Sequence, residues 1–511
     1  MISGNFLSNR RVIRNPRIFF LAILLAVTAI GAPAQSFNIL VNFDGATDGQ
    51  FPYGLVQGTD GNFYGVTQGT GILNCGSVSS VSCGTVYKLG SNGILTTLYN
   101  FPASGSTFPF GVFPDSTLVQ GSDGNFYGTT FAGGPSGTDA GTVFQITPDG
   151  TLTSVYAFPS SRGGFDPYGL IQDDRGVFYG TTYYGGRGRG QNGGTFYRLV
   201  PHGSSYVEHV LYSFCSQANC ADGSQPNPGL IRGLDGNFYG TTAYGGYAGT
   251  GCVSLGCGTI FKLTPTGTLT TLYTFCEGAS FCGTGLGPLF QASNGKFYGT
   301  TSTGGNIKCD SGSGTASCGT VYEISSDGNF KTTYKFCSQP NCSDGMFPGL
   351  SVIQASDGNL YGINSNTSTS QLFQLTLSGR LTVIAQASEG LQVFAPLLQS
   401  TDGTFYGTSL HGGNAINCMY GCGLLFNFSA GLPAFVKTEP TSGTVTKSVI
   451  ILGNNLTGST SVTFNGTSAT FTIVSDSEIT TTVPSGATSG PVQVTTPTGT
   501  LTSSAPFHVR P

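Results

Sequence analysis

The sequence predicts an all-β protein, a seven-bladed β-propeller followed by a small β-sandwich, and three observations carry that expectation. Glycine fills 80 of the 511 positions while charged residues make up only 9%, a balance that cannot clothe the wet faces of amphipathic helices. Phe and Tyr supply 37 and 23 rings, too many for a disordered chain. Together with Gly, Ser and Thr they suit short strands joined by tight turns. Finally, one hexapeptide recurs seven times, and a strand belonging to the last repeat stands at the front of the chain.

Residues 1–34 read as a secretory leader. Arg10, Arg11, Arg14 and Arg17 form a positive start, an apolar run covers 18–31, and Ala32-Pro33-Ala34 supplies a small-x-small cleavage site. The 14 apolar residues fall short of the ~20 that a spanning helix needs. Cleavage near Ala34 exports a chain with 16 basic residues against 24 acidic ones, with no transmembrane segment. This balance, without a basic patch, excludes nucleic acid as a partner.

The string DGNFYG occurs at 60–65, 123–128 and 235–240, with variants at 175–180, 294–299, 357–362 and 402–407. Tyr64, Tyr127, Tyr179, Tyr239, Tyr298, Tyr361 and Tyr406 thus recur at a mean spacing of about 57 residues, the mark of a repeat architecture. Each copy is followed by a segment like GTVFKL and then by one like LTTLYNF. The seventh LTTLYNF-like segment is missing from the end and appears as FNILVNF at 37–43.

Turn chemistry orders each unit. A short strand such as TLVQ (117–120) meets Asp123-Gly124, then NFYGTT (125–130), a Gly-rich loop, GTVFQI (141–146), the Pro148-Asp149-Gly150 turn, and TLTSVYAF (151–158). Adjacent Phe126 and Tyr127 point to opposite faces, so both faces need cover. Radial stacking of seven such sheets supplies it. Residues 37–43 then close the ring as the outer strand of the last blade and remove a free edge.

The DGNFYGTT…GG…GTVF pattern with its following strand resembles the GloVer repeats of secreted bacterial proteins and covers roughly 36–430. That resemblance implies secretion and a propeller-like array, and brings no activity with it. From Pro433 the composition shifts to Thr, Ser and Val. Pro440, Gly443, Gly453, Asn454, Leu456, Phe464, Asn465 and Gly466 resemble the pattern of IPT/TIG immunoglobulin-like domains over 433–511. Alternation in SVTF, ATFTIV and PVQV independently suits about seven short strands of a sandwich. The resemblance implies a spacer or binding module.

The 14 cysteines fall in local pairs: Cys75/Cys83, Cys215/Cys220, Cys252/Cys257, Cys276/Cys282, Cys309/Cys318, Cys337/Cys342 and Cys418/Cys422. An even count in an exported chain favours disulfides. Zinc spacing is absent, with four histidines in all, and no calcium loop occurs; no metal or other cofactor is expected.

In this fold the tight Asp-Gly turns gather on one face, and the long, bridged, variable loops on the other, where function is expected. Asp60, Asp123, Asp235, Asp357 and Asp402 read as hairpin-turn residues, and Asp48, Asp166, Asp222 and Asp344 as turn-formers in the blade crossings. After the FYGTT strand the copies diverge. Tyr183, Tyr184, Arg187 and Arg189 in one unit, with Tyr244 and Tyr247 in the next, form the candidate ligand-binding set, suited to stacking on a glycan or anchoring a protein.

No G-x-S-x-G, HExxH or triad grouping appears, so no catalytic residue is assigned. The expectation is a secreted, monomeric, non-catalytic binding or adhesion protein for extracellular glycans or cell-surface proteins. A polysaccharide-active glycosidase or lyase using two channel-facing acids, and a purely structural surface role, stand as alternatives.

Overall fold

The computed structural model of the chain describes residues 37–69, 83–101, 108–134, 140–159, 164–173, 175–187, 192–203, 205–246, 256–275, 286–305, 318–366, 369–387, 391, 393, 395–413, 418 and 421–510. The expected leader and its cleavage site lie outside the described residues. Among those described, regular structure is all β apart from two three-residue 3-10 turns, Ala218–Cys220 and Pro340–Cys342. No helix among them is long and apolar enough to cross a membrane.

The repeat region is a propeller-like array of antiparallel sheets. Among the described residues, six sheets of four or five strands occupy 52–100, 108–157, 164–213, 224–274, 290–335 and 346–387, each in chain order. The seventh takes Leu398–Gln399, Phe405–Ser409 and Leu424–Phe428, and its outer strand is the displaced Phe37–Asn42, paired from Phe37↔Phe428 to Asn42↔Leu424.

The first hairpin of each unit is held by its own side chains. Asp60 accepts the Asn62 N–H (3.1 Å), the Asn62 amide (2.7 Å) and the Tyr64 hydroxyl (2.8 Å). Gly61 takes φ 79°, a value most side chains avoid. The same clamp recurs at Asp123, Asp235 and Asp357. These aspartates are therefore turn residues, as the sequence reading has it.

Adjacent Phe and Tyr of the motif bury opposite faces, and this joins sheet to sheet. Tyr64 stacks on Phe126 (3.9 Å), Tyr127 meets Phe178 (4.5 Å), Tyr179 Phe238 (4.5 Å), Tyr239 Phe297 (4.1 Å), and Tyr361 Phe405 (4.7 Å). Leu360 replaces Phe in the sixth copy and shares a core with Tyr298. Tyr406 of the last sheet meets Phe63 of the first at 4.2 Å.

A glutamine latch runs beside these rings: the side-chain oxygens of Gln120, Gln172, Gln291, Gln354 and Gln399 accept N–H groups from the preceding sheet at 2.7–3.0 Å. Gln57 accepts the Thr401 N–H in the same way at 3.2 Å. The first strands abut closely; a Cβ on Gly287 would collide with the Leu350 carbonyl oxygen.

Three of the expected disulfides lie within described residues: Cys215–Cys220, Cys337–Cys342 and Cys418–Cys422. Cys83, Cys257 and Cys318 are also disulfide-bonded, whereas Cys75, Cys252, Cys276, Cys282 and Cys309 lie outside the described residues.

Beyond residue 433, two four-stranded sheets, one running from Lys437–Glu439 to Phe471–Ile473 and one from Thr467–Ala469 to Gly499–Thr502, enclose Val449, Ile451, Val462, Phe464, Ile479, Val494 and Phe507. This unit rests on tight turns of the first and seventh sheets. The Ser477 hydroxyl donates to the Thr59 carbonyl (2.8 Å), the Asn454 amide to the Thr401 hydroxyl (2.7 Å), and the Phe435 N–H to the Thr401 carbonyl (2.9 Å).

Candidate functional site

Because neighbouring strands run antiparallel, the start of each first strand and the end of each second strand share the end of the sheet opposite the Asp-Gly turns. Tyr183 and Tyr184 lie near the end of Phe178–Gly185, and Tyr244 ends Phe238–Tyr244. Tyr184 stacks on Phe165 (5.3 Å) and meets Tyr183 edge-on (4.7 Å). Tyr183 in turn meets Tyr168 edge-on (5.9 Å).

Burial, then the neighbouring Tyr244 phenol, pushes the Tyr183 phenol up to about 12. The third and fourth sheets thus bring Tyr183, Tyr184 and Tyr244 together. Arg187 is exposed beside the outer strand of the third sheet, its N–H donating to the Ser213 hydroxyl (3.1 Å). Arg189 and Tyr247 lie outside the described residues.

The structure adds four residues that sequence reasoning missed or read otherwise. The residue before the proline opening a first strand adopts positive φ at Phe51, Phe113, Asp166, Gln225 and Phe347 (48–63°). Its N–H donates to the preceding sheet, at the carbonyls of Cys422, Cys83, Ala140, Gly193 and Cys318 respectively. This latch orients the residue after each proline: Tyr53, Asp115 and Tyr168 occupy one register position in the first three sheets.

Asp115 and Asp166 are 1% and 3% exposed. Among the described residues, neither oxygen of Asp115, nor Asp166 Oδ1, has a hydrogen-bond partner. Burial pushes the Asp166 carboxyl up to about 8. Asp115 is raised well above the usual carboxylate range, by burial first and then by the Asp166 charge, with the Tyr168 hydroxyl opposing.

Burial and the Asp115 charge also raise the Tyr53 phenol. Tyr168 is raised by burial and then by Asp115, Asp166, Tyr53 and Tyr183. Tyr53 and Tyr168 come from sheets one and three, so the first strands converge across the second sheet. Raised to about 8, the Asp166 carboxyl favours its protonated, hydrogen-bond-donating form at neutral pH, and Asp115 is shifted in the same direction. Half-buried phenols around protonated acids can stack on and hydrogen-bond a polyol. The recurring two-residue step from a positive-φ position across proline was the available signal; it became readable only once backbone angles were known.

The other crossing acids do structural work. Asp222 accepts the Tyr212 hydroxyl (2.6 Å) and the N–H groups of Ser216 (2.9 Å) and Gln217 (3.1 Å). Asp344 repeats this with Tyr334, Ser338 and Gln339. Each sits just beyond a disulfide loop and ties it to the outer strand. Asp48, beside Asp44, is pushed up to about 7 by burial and by that neighbour. Among the described residues no group of three His, Cys, Asp or Glu is arranged to hold a metal ion.

A profile of the Gloeobacter/Verrucomicrobia repeat matches residues 27–254, 164–315 and 254–474. No curated protein sequence matches the chain. Among solved structures, a streptogramin B lyase is 14% identical with a TM-score of 0.47, over 77% of this chain and 97% of that one. A fungal alcohol oxidase of the AA5 family, in complex with copper, is 14% identical with a TM-score of 0.49, over 94% and 100%. The extracellular domain of a hybrid two-component system from B. thetaiotaomicron is 12% identical with a TM-score of 0.47, over 94% and 59%. At this level of likeness their activities say nothing of this chain's.

Proposed function

The chain belongs to the Gloeobacter/Verrucomicrobia repeat family, and from that premise we propose that it is a secreted, monomeric, non-catalytic binding protein whose long-loop face takes an extracellular glycan. On this reading residues 36–430 are a closed seven-bladed propeller, residues 433–511 an immunoglobulin-like module of the IPT/TIG kind, and residues 1–34 a leader cleaved near Ala34. Closure is supported by the last-to-first seam, which repeats the ring contact and the glutamine latch of the other seams.

The observation that carries the ligand assignment is the convergence of Tyr183 and Tyr244 with Tyr53 and Tyr168 over Asp115 and Asp166. Rigid phenols provide flat apolar area with a polar tip, which suits sugar rings. The test is retention on immobilised polysaccharides. The Tyr183→Ala/Tyr244→Ala double variant should lose retention at nearly unchanged thermal stability. Retention that survives this change, but fails when the Asp-Gly turns or residues 433–511 are altered, sinks the assignment.

A second reading, a glycosidase or lyase, is favoured by the same buried acids, because a protonated carboxyl is what a general acid needs. Release of new reducing ends by the native protein, abolished by Asp115→Asn, would replace the binding reading with the catalytic one.

A further inference from the structure

On the opposite, tight-turn side, six repeats engage the motif tyrosine with a partner on the third strand. Lys88 pairs with Asp60 (3.0 Å), Lys262 with Asp235 (3.0 Å), Gln145 with Asp123 (2.9 Å) and Gln374 with Asp357 (3.0 Å), and all four acids accept the tyrosine hydroxyl. In the fifth, Glu323 accepts from Tyr298 (3.0 Å) and Lys296 (2.8 Å). In the seventh, Asn427 hydrogen-bonds Tyr406.

The third repeat breaks the rule by reversing a charge. Arg175 stands where the turn aspartate stands elsewhere, and Arg198 occupies the position of Lys88. Arg175 is held by Asp173 through Nη2 (2.8 Å) and Nε (3.2 Å) and remains 75% exposed. Among the described residues, Arg198 Nε is buried with no hydrogen-bond partner. His209 lies opposite Arg198 on the outer strand.

Among the described residues, the other nearby acids face away or are already engaged. Glu208 pairs in register with Leu199, on the other face, and accepts the Tyr156 hydroxyl; Asp235 is bound by Asn237, Tyr239 and Lys262. Around the two arginines lies a pocket of about 420 Å³, completed by Val177, Tyr179, Val200 and Pro201. Its size is within the range of small-molecule sites.

We propose that this pocket binds a carboxylate carried on a ring of about hexose size, a uronate being the fitting class. The Arg198 fork meets the carboxylate with planar, charge-assisted hydrogen bonds. Arg175 adds charge at the mouth, and Val177, Val200 and Pro201 receive the apolar face of the ring. The site is separate from the tyrosine cluster, and the hydrogen bonds from residues 433–511 reach the first and seventh sheets, not the third.

The test is calorimetric titration of the full mature chain with sodium glucuronate, glucose and sodium sulfate at low ionic strength. Saturable glucuronate binding, with glucose inert and sulfate clearly weaker, is expected. Arg198→Gln should weaken glucuronate binding by at least about tenfold, and Arg198→Lys, which keeps the charge but loses the fork, should weaken it less. Arg175→Asp, which restores the turn acid beside Arg198, should abolish binding and raise the melting temperature. The Tyr183→Ala/Tyr244→Ala variant should bind glucuronate unchanged, which separates this site from the tyrosine-lined glycan face. Failure of glucuronate to bind, equal binding of sulfate, or full binding by a folded Arg198→Gln protein overturns the proposal.

Discussion

Burial raises the Asp115 and Asp166 carboxyls above the usual carboxylate range, and that has a signed consequence for stability. A carboxyl whose pKa rises on folding binds its proton more tightly in the native state. Its stabilisation is complete below the unfolded value, 3.8, and is lost as pH rises toward about 8, the folded value for Asp166. The slope is about 1.4 kcal/mol per pH unit for each such group. Asp166→Asn should therefore have little effect at pH 4 and raise the unfolding free energy progressively from there to about pH 8, and Asp115→Asn should act in the same direction. Parallel denaturant titrations at pH 4, 6 and 8 check this, and a difference between variant and native protein that is constant with pH would refute it. The turn clamp makes a contrasting prediction: Tyr239→Phe removes one hydrogen bond to Asp235 and should cost about 1–2 kcal/mol. Tyr239→Ala also empties the contact with Phe297 and should cost about 3–5 kcal/mol. The turn was legible as D-G-x-F-Y because all its members lie within five residues. The acid pair was not, since Asp166 reads locally as another turn-former before proline.

At the scale of single elements, the crossings are held twice. The Cys215–Cys220 bridge closes a separation of five residues, and Asp222 ties the same loop to the outer strand through the Tyr212 hydroxyl. A disulfide spanning so few residues restricts the unfolded chain by less than the ~3 kcal/mol of a 15-residue loop. Mild reduction should therefore lower the melting temperature by only a few degrees and leave the far-ultraviolet circular dichroism of the sheets intact. Loss of the sheet signal on reduction would show that the bridges, not the aromatic seams, hold the array. Cysteine spacing disclosed these pairs because each loop is short enough to dictate its own partner. The acid that backs up each bridge needed the outer strand to be in place.

For the molecule as a whole, the vulnerable place is the junction of the first and seventh sheets. It joins residues more than 340 positions apart, through Tyr406 on Phe63 and Thr401 on Gln57. The unit beyond residue 433 rests on that same junction through Thr59 and Thr401. Removing residues 433–511 should lower the melting temperature and speed amide exchange in the first and seventh sheets, while the third and fourth exchange as before. Uniform acceleration, or none, would show that the contacts carry no stabilisation. Deleting 37–42 should be more damaging, because it strips the outer strand from the last sheet and exposes its edge.

By itself, the sequence determined what short-range chemistry can dictate: strand order within each unit, the tight Asp-Gly turns, local disulfides and the displaced strand that completes the last sheet. These come from residues a few positions apart, or from a motif repeated often enough to reveal its own register. Only the tertiary structure decided which groups from different units meet. Tyr53, Asp115 and Tyr168 converge because the first strands of three sheets approach one another. Among the described residues Arg198 has no ion-pair partner, and the turn 23 positions earlier, which carries an acid in five other repeats, carries Arg175. Such encounters depend on how sheets stack, and stacking is set by burial of both faces of every sheet, a property that no single repeat contains.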